Sequence, residues 1–183
     1  MLEGKNVNLR VVEREDIDFM VECFNDIAFW GEYDSTAEQR STNAQMKDFD
    51  NPPVWVTSIG MRGFVILKKD GTRIGFISHW QTQPSGMTEI GYHIVSNERG
   101  KGYGTETVQL MVDYLFLSSG IVRTQAMTNV KNRASQRVLE KIGFKLEGTC
   151  RKTNFVRGVW TDNYLYSILR EEWKEPKILT RTL

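Results

Sequence analysis

Apolar and polar positions change period along the chain, and the changes mark its elements. Asn6 to Val12 carries Val7, Leu9, Val11 and Val12 in near alternation, the period of a first strand. Glu15 and Asp16 then stand where acidic side chains favour a helix start, and Ile17, Met20, Val21, Phe24 and Ile27 follow as one core-facing stripe. A second, weaker helix is expected from about Ser35 to Phe49. Between the two, Phe29, Trp30 and Tyr33 cluster in what reads as a loop, where they either cap the core or line a substrate cleft. Asn51-Pro52-Pro53 breaks the pattern, and 54–62 has no period and reads as loop.

Strand signals then dominate. Phe64-Val65-Ile66-Leu67, the turn Lys69-Asp70-Gly71-Thr72 and Ile74-Gly75-Phe76-Ile77-Ser78 make a hairpin. Another turn spans Gln81 to Gly86, and Thr88 to Val95 reads as a third antiparallel strand. The period lengthens again in Val108, Met111, Val112, Leu115 and Phe116, a buried helix face stopped near Gly120. Val122 to Thr128 is a short strand. A second helix opens at Asn129 to Ser135, with Asn129 or Asn132 as its cap, buries Val138, Leu139 and Ile142, and ends at Gly143. Phe144 to Gly148 and Tyr164 to Leu169 close the chain as two strands, Trp160 to Asn163 leading into the second. The order is β-αα-βββ-α-β-α-ββ, a mixed α/β (α+β) sheet of about seven strands with about four helices packed on it.

Composition narrows the class. The 183 residues suit a single domain, 1–183, with a core that needs no staples. Lys plus Arg is 24 against 23 for Asp plus Glu, so no general pull toward nucleic acid or an anionic membrane is expected. Two cysteines, Cys23 and Cys150, are too few for a disulfide framework and lack the spacing of a zinc site. No metal is expected, and His79 and His93 read as packed strand residues. No apolar run approaches a bilayer's thickness and Met1 to Lys5 shows no apolar signal segment, so a reducing cytoplasm is the expected home.

The chemistry is concentrated in Arg99-Gly100-Lys101-Gly102-Tyr103-Gly104, between a strand and a helix. A tight glycine turn at a helix N-terminus aims backbone N–H groups and the positive end of the helix dipole at one spot, which suits a phosphate. The spacing matches neither Gly-x-x-x-x-Gly-Lys-Ser/Thr nor Gly-x-Gly-x-x-Gly, since the glycines fall at 100, 102 and 104.

It does match Arg/Gln-x-x-Gly-x-Gly/Ala, through Arg99, Gly102 and Gly104, and so resembles the pyrophosphate loop of the GNAT acyltransferases. Glu89-Ile90-Gly91-Tyr92, Asn132-x-x-Ser135, Glu140 to Phe144, Glu147-Gly148, Gly158-x-Trp160-x-Asp162 and Glu172-Trp173 resemble the branch containing RimJ and RimL. The likeness covers Asn6 to Trp173 and leaves the tail Lys174 to Leu183 without a counterpart. It implies the GNAT fold, acetyl-CoA as co-substrate, and direct attack of a primary amine on the thioester with no acyl-enzyme. The acceptor is then a protein N-terminus, a polyamine or an amine-bearing small molecule, and the alternative is an acyl-CoA-binding module without turnover. Arg99, Gly100, Lys101, Gly102, Tyr103, Gly104 and Thr105 are expected to hold the pyrophosphate. The pantetheine arm would pair with backbone at Ile94 and Val95, aided by Asn132. Glu89 is the candidate base, acting through a water, and Ser135 stands where many relatives place a tyrosine that serves the leaving sulfur. Trp30, Tyr33, Trp80 and Trp160 are candidate walls of the acceptor pocket, and Asp162 could contact a cationic substrate. A homodimer is compatible with the sequence, though no stretch of it demonstrates one.

Overall fold

A computed structural model describes residues 1–35, 39–53, 62–82 and 86–179. The described residues form eight strands and five α-helices. The first strands are β1 (Leu2–Glu3) and β2 (Val7–Val11), followed by α1 (Ile17–Asn25), α2 (Ile27–Trp30) and α3 (Thr42–Asp50). Then come β3 (Arg62–Lys68), β4 (Arg73–Thr82), β5 (Met87–Ile94), α4 (Tyr103–Ser118), β6 (Arg123–Asn129), α5 (Arg133–Ile142), β7 (Lys145–Val156) and β8 (Val159–Leu169). One sheet joins all eight strands in the order β1-β2-β3-β4-β5-β6-β8-β7.

Several boundaries differ from the sequence reading, each for a local reason. The stripe ending at Ile27 is cut at Asp26, whose extended backbone ends α1 and whose carboxylate accepts the Ala28 N–H at 2.8 Å to start α2. Ile27 is consequently 59% exposed, and Phe29 takes the buried place. The last hairpin is far longer than its apolar residues indicated. It runs to Val156 and Val159 and turns through Arg157 and Gly158, both at positive φ (48° and 84°), which is the geometry of a two-residue hairpin turn. Its outer half is mostly exposed, apolar Phe155, Val159 and Trp160 included, so no burial pattern marked it. The expected loop at 54–62 and the turn within 81–86 lie largely outside the described residues, as does part of the weaker helix's start; α3 begins at Thr42, where Ser41 accepts the Ala44 N–H.

Two cores flank the sheet. The larger packs Val108, Met111, Val112, Leu115 and Phe116 of α4 and Leu139 and Ile142 of α5 against Ile77, Ile90, Ala126, Tyr166 and Ile168. The smaller joins Cys23, Phe29, Val65 and Phe76 under α1 and α2. The tail is part of the fold. Asp113, fully buried in α4, accepts hydrogen bonds from Trp173 Nε1 at 2.8 Å and from the N–H groups of Lys177, Ile178 and Leu179 at 3.0, 2.8 and 3.3 Å.

What positions the site is a parting of the sheet. β5 and β6 are its one parallel pair among the described strands, and they pair only at Met87 with Arg123, Thr88 with Thr124 and Glu89 with Gln125. Beyond Glu89 and Gln125 they separate, because β5 stays paired to β4 as far as Ile94 while β6 stays paired to β8 as far as Asn129. Each half-sheet is satisfied on its outer side, and the inner edges of 90–94 and 126–129 face a gap.

Candidate active site

A cleft of about 710 Å³ occupies that gap. Ile90 to Ile94 form one wall and Ala126 to Asn129 the other. The glycine loop and the first turn of α4 close one end, Asn132, Ser135 and Val138 of the α5 region lie along it, and Phe29 to Asp34 cover it.

The loop is built as the glycines require. Gly100 and Gly102 have φ of 76° and 88°, a conformation that side-chain-bearing residues rarely take, and a Cβ added at either would meet no protein atom within 4 Å. Gly102 also caps α4 with no side chain to accept from the first turn. Thr105 and Glu106 return their N–H groups to Gly102 O, while those of Tyr103 and Gly104 have no acceptor among the described residues. Open backbone donors at a helix start fit the pyrophosphate of a CoA molecule. The Arg99 N–H donates to Ser96 O at 3.4 Å. Its guanidinium donates to the carbonyl oxygens of Ile94 (2.8 Å), Ala28 and Phe29, tying the end of β5 to α2. Lys101 pairs with Glu98 at 2.9 Å and lies outside the cleft lining.

The expected partners of the pantetheine arm are divided in the same way. Ile94 lines the cleft, but its carbonyl oxygen is taken by Arg99, and the Val95 N–H donates to Ile74 O at 2.9 Å. The unpaired edge of β5 therefore lies at 90–94, upstream of Val95. Asn132 caps α5, its Oδ1 accepting the Ser135 N–H at 3.1 Å, and its amide nitrogen has no partner among the described residues. It is both a cap and a free donor at the cleft wall.

Alternation along β5 gives its two faces different chemistry. On the α4/α5 side, Tyr92 Oη lies 3.0 Å from Ser135 Oγ, and burial pushes the phenol up to about 12. The sequence reading passed over Tyr92, although the period of two from Ile90 placed it on this face. On the opposite side, Glu89 Oε2 accepts from Gln125 Nε2 at 2.9 Å at the last paired register. Burial raises the Glu89 pKa, and the Gln125 bond only partly offsets the rise. Glu89 stands at the apex where the strands part rather than among the lining residues. Trp80 is its cross-strand partner and also lies outside the lining, with its ring tip 3.3 Å from where a Cβ on Gly91 would sit.

His93 continues the Glu89 face, and its Nε2 lies 2.8 Å from Asp34 Oδ2. No sequence signal pointed to Asp34. Trp30 and Tyr33 line the cleft as expected, Trp30 packing edge-on to His93 with ring centroids 4.9 Å apart. Trp160 does not line it. It is 55% exposed on the last hairpin, beside Phe155, and Asp162 accepts the Lys152 N–H in the same hairpin. His79 is packed between Phe64 and Tyr114, and burial lowers its pKa. Among the described residues no group of three His, Cys, Asp or Glu side chains is placed to hold a metal, and no helix is long and apolar enough to cross a membrane.

Comparison with known proteins agrees with this geometry. A family model described as an acetyltransferase (GNAT) domain matches residues 6–145. YjcK of Bacillus subtilis, named as a probable N-acetyltransferase, is 36% identical over 110 residues, 59% of this chain and 61% of YjcK, so the matched stretch spans about three fifths of that relative. The N-acetyltransferase p20 of Bacillus licheniformis is 27% identical over 94% of this chain and 97% of its own length. Among solved structures, RimL, the ribosomal L7/L12 alpha-N-protein acetyltransferase in complex with coenzyme A, superposes with a TM-score of 0.81 at 18% identity, covering 93% of this chain and 98% of that one. Spermidine N-acetyltransferase from Vibrio cholerae, in complex with CoA and spermine, gives 0.79 at 21% identity over 92% and 98%. At those identities the likeness is one of fold.

Proposed function

The chain belongs to the GNAT acetyltransferase family, and from that premise we propose that it transfers an acetyl group from acetyl-CoA to a primary amine by direct attack. The observation that carries the reading is the joining of one cleft to two kinds of chemistry. An uncapped helix start with two glycines at positive φ closes its end, and the parted strands beside it carry Glu89 at their apex and, on the other face of β5, Tyr92 in contact with Ser135. Acetyl-CoA is the co-substrate of this family, and when bound it supplies the thioester carbonyl that an amine attacks.

The chain's own residues then have separable tasks. The N–H groups of Gly100 to Gly104 bind phosphate oxygens with the α4 dipole behind them. The open edge of β5 at 90–94 and the Asn132 amide nitrogen hold an amide-rich arm. Glu89, its pKa raised by burial, takes a proton from the acceptor nitrogen through a water. Ser135, backed by Tyr92, presents a hydroxyl toward a leaving thiolate. For the acceptor, the solved neighbours named for the N-terminus of a ribosomal protein and for spermidine support a protein N-terminus or a polyamine as the first classes to try.

The test is CoA release by the purified protein with acetyl-CoA and a panel holding spermidine, peptides with free N-terminal serine or alanine, and aminoglycosides. Amine-dependent release is the expected result. Tight acetyl-CoA binding with no release from any amine would favour an acyl-CoA-binding module instead.

A further inference from the structure

An amine that enters as an ammonium ion must lose two protons to become an amide. One leaves before the nitrogen lone pair can attack, and the second leaves as the C–N bond forms. The departing thiolate takes up one proton, so the net reaction releases one. Glu89 accounts for the second proton; the first needs an acceptor inside the cleft.

One lining side chain suits it. His93 stands on the same face of β5 as Glu89, four residues further along, and Asp34 Oδ2 lies 2.8 Å from its Nε2. Phe29 and Trp30 of α2 pack on the ring with centroids 5.5 and 4.9 Å away, and β4 places Phe76 across from it. The charged groups that line the cleft with it are Asp34 and Glu32 of the covering segment, and Glu98 and Arg99 that follow β5, the Arg99 guanidinium being engaged by the Ile94, Ala28 and Phe29 carbonyl oxygens. A carboxylate that accepts from one imidazole nitrogen fixes the tautomer and leaves a lone pair on the other.

The segment carrying Asp34 also covers the cleft. Arg157 donates to Gly31 O at 3.0 Å, and Ser35 Oγ donates to Asn154 Oδ1 at 3.0 Å, so residues 31–35 reach from β5 to the last hairpin. The imidazole lines the cleft beneath this strap.

We propose that His93 takes the first proton from the incoming ammonium, with Asp34 as its positioning residue; this rests on the acetyltransferase reading. The N–H bond of the ammonium breaks, its proton passes to His93 Nδ1, and Asp34 balances the imidazolium until the proton is given up to water. No bond to carbon changes in this step.

His93→Gln keeps an amide N–H for Asp34 and so preserves the strap. With spermidine at pH 7, H93Q is expected to be slower than wild type by about a hundredfold, a size usual for lost acid–base help. The deficit should shrink as pH rises toward the acceptor's own pKa, because free amine then arrives without help. For a serine-started peptide, with an α-amine near about 7.7–8.0, it should close well before it does for an alkylamine near about 10.4. Asp34→Asn should show a smaller deficit with the same pH trend. A deficit equal at every pH, or no deficit, would overturn the assignment. Turnover by wild type with an unmoved H93Q profile would overturn it alone, whereas no CoA release by wild type with either amine would overturn the acetyltransferase reading as well.

Discussion

Tyr92 Oη lies 3.0 Å from Ser135 Oγ, joining β5 to the first turn of α5 across the cleft wall. A serine hydroxyl alone is a poor acid, but a phenol that burial holds neutral can donate to Ser135 Oγ and leave the serine proton free to point outward. Ser135→Ala and Tyr92→Phe should each lower kcat about tenfold with little change in KM for acetyl-CoA, and the double variant should be no worse than the more impaired single one, as for groups that act as a unit. Steady-state kinetics on the three variants decides this, and additive losses would separate the two roles.

The pH dependence of turnover should carry the signature of Glu89. Its working form is the carboxylate and burial raises its pKa, so kcat/KM should fall on the acid side through a value above the ordinary glutamate figure of about 4.3. A raised carboxyl pKa also means that the group's stability contribution is present below the unfolded value and is lost as pH rises through the folded one. Glu89→Gln should therefore lose the Glu89 contribution to the acid limb and most of its rate, yet melt no lower than wild type at pH 7. An unchanged profile would remove Glu89 as the proton acceptor.

Sequence periodicity found the helices and strands that carry a buried stripe, since burial is what creates the period. Val108 to Phe116 and Leu139 with Ile142 are in the core as expected. It missed what side-chain hydrogen bonds or exposure decide: the break at Asp26, the exposed outer half of the last hairpin, and the seating of the tail on Asp113. Within the site, the glycine loop was legible because positive φ selects glycine. Asp34 was not, because its role exists only where the strap meets β5, 59 residues later in the chain. The motif marked Arg99 but gave no sign that its guanidinium turns back onto carbonyl oxygens, a contact that exists only where α2 meets the end of β5.

Removal of the Asp113 carboxylate should release the tail. Five hydrogen bonds end on it, from Gln109, Trp173, Lys177, Ile178 and Leu179. Bonds to a charged group contribute about 1.5–3 kcal/mol each, so loss of even two costs about 3 kcal/mol or more. Asp113→Ala should lower Tm by roughly 6–12 °C, at about 2–4 °C per kcal/mol for a chain of this size. Proteolysis should then cut first after Lys174 or Lys177. A Tm within a degree of wild type would mean that the tail contributes nothing to stability.

The acetyl-CoA site itself is tested most directly by the shift in melting temperature with acetyl-CoA, beside equal concentrations of ATP and NAD, for wild type and Gly102→Glu. At a hundred times its dissociation constant a ligand stabilises the fold by about 2.7 kcal/mol, a rise of roughly 5–11 °C. The expected result is that rise for wild type with acetyl-CoA alone, and its loss in G102E, where a carboxylate enters the loop and its backbone is strained. No shift with acetyl-CoA, an equal shift with the nucleotides, or an undiminished shift in G102E would contradict the assignment of the glycine loop as the pyrophosphate site.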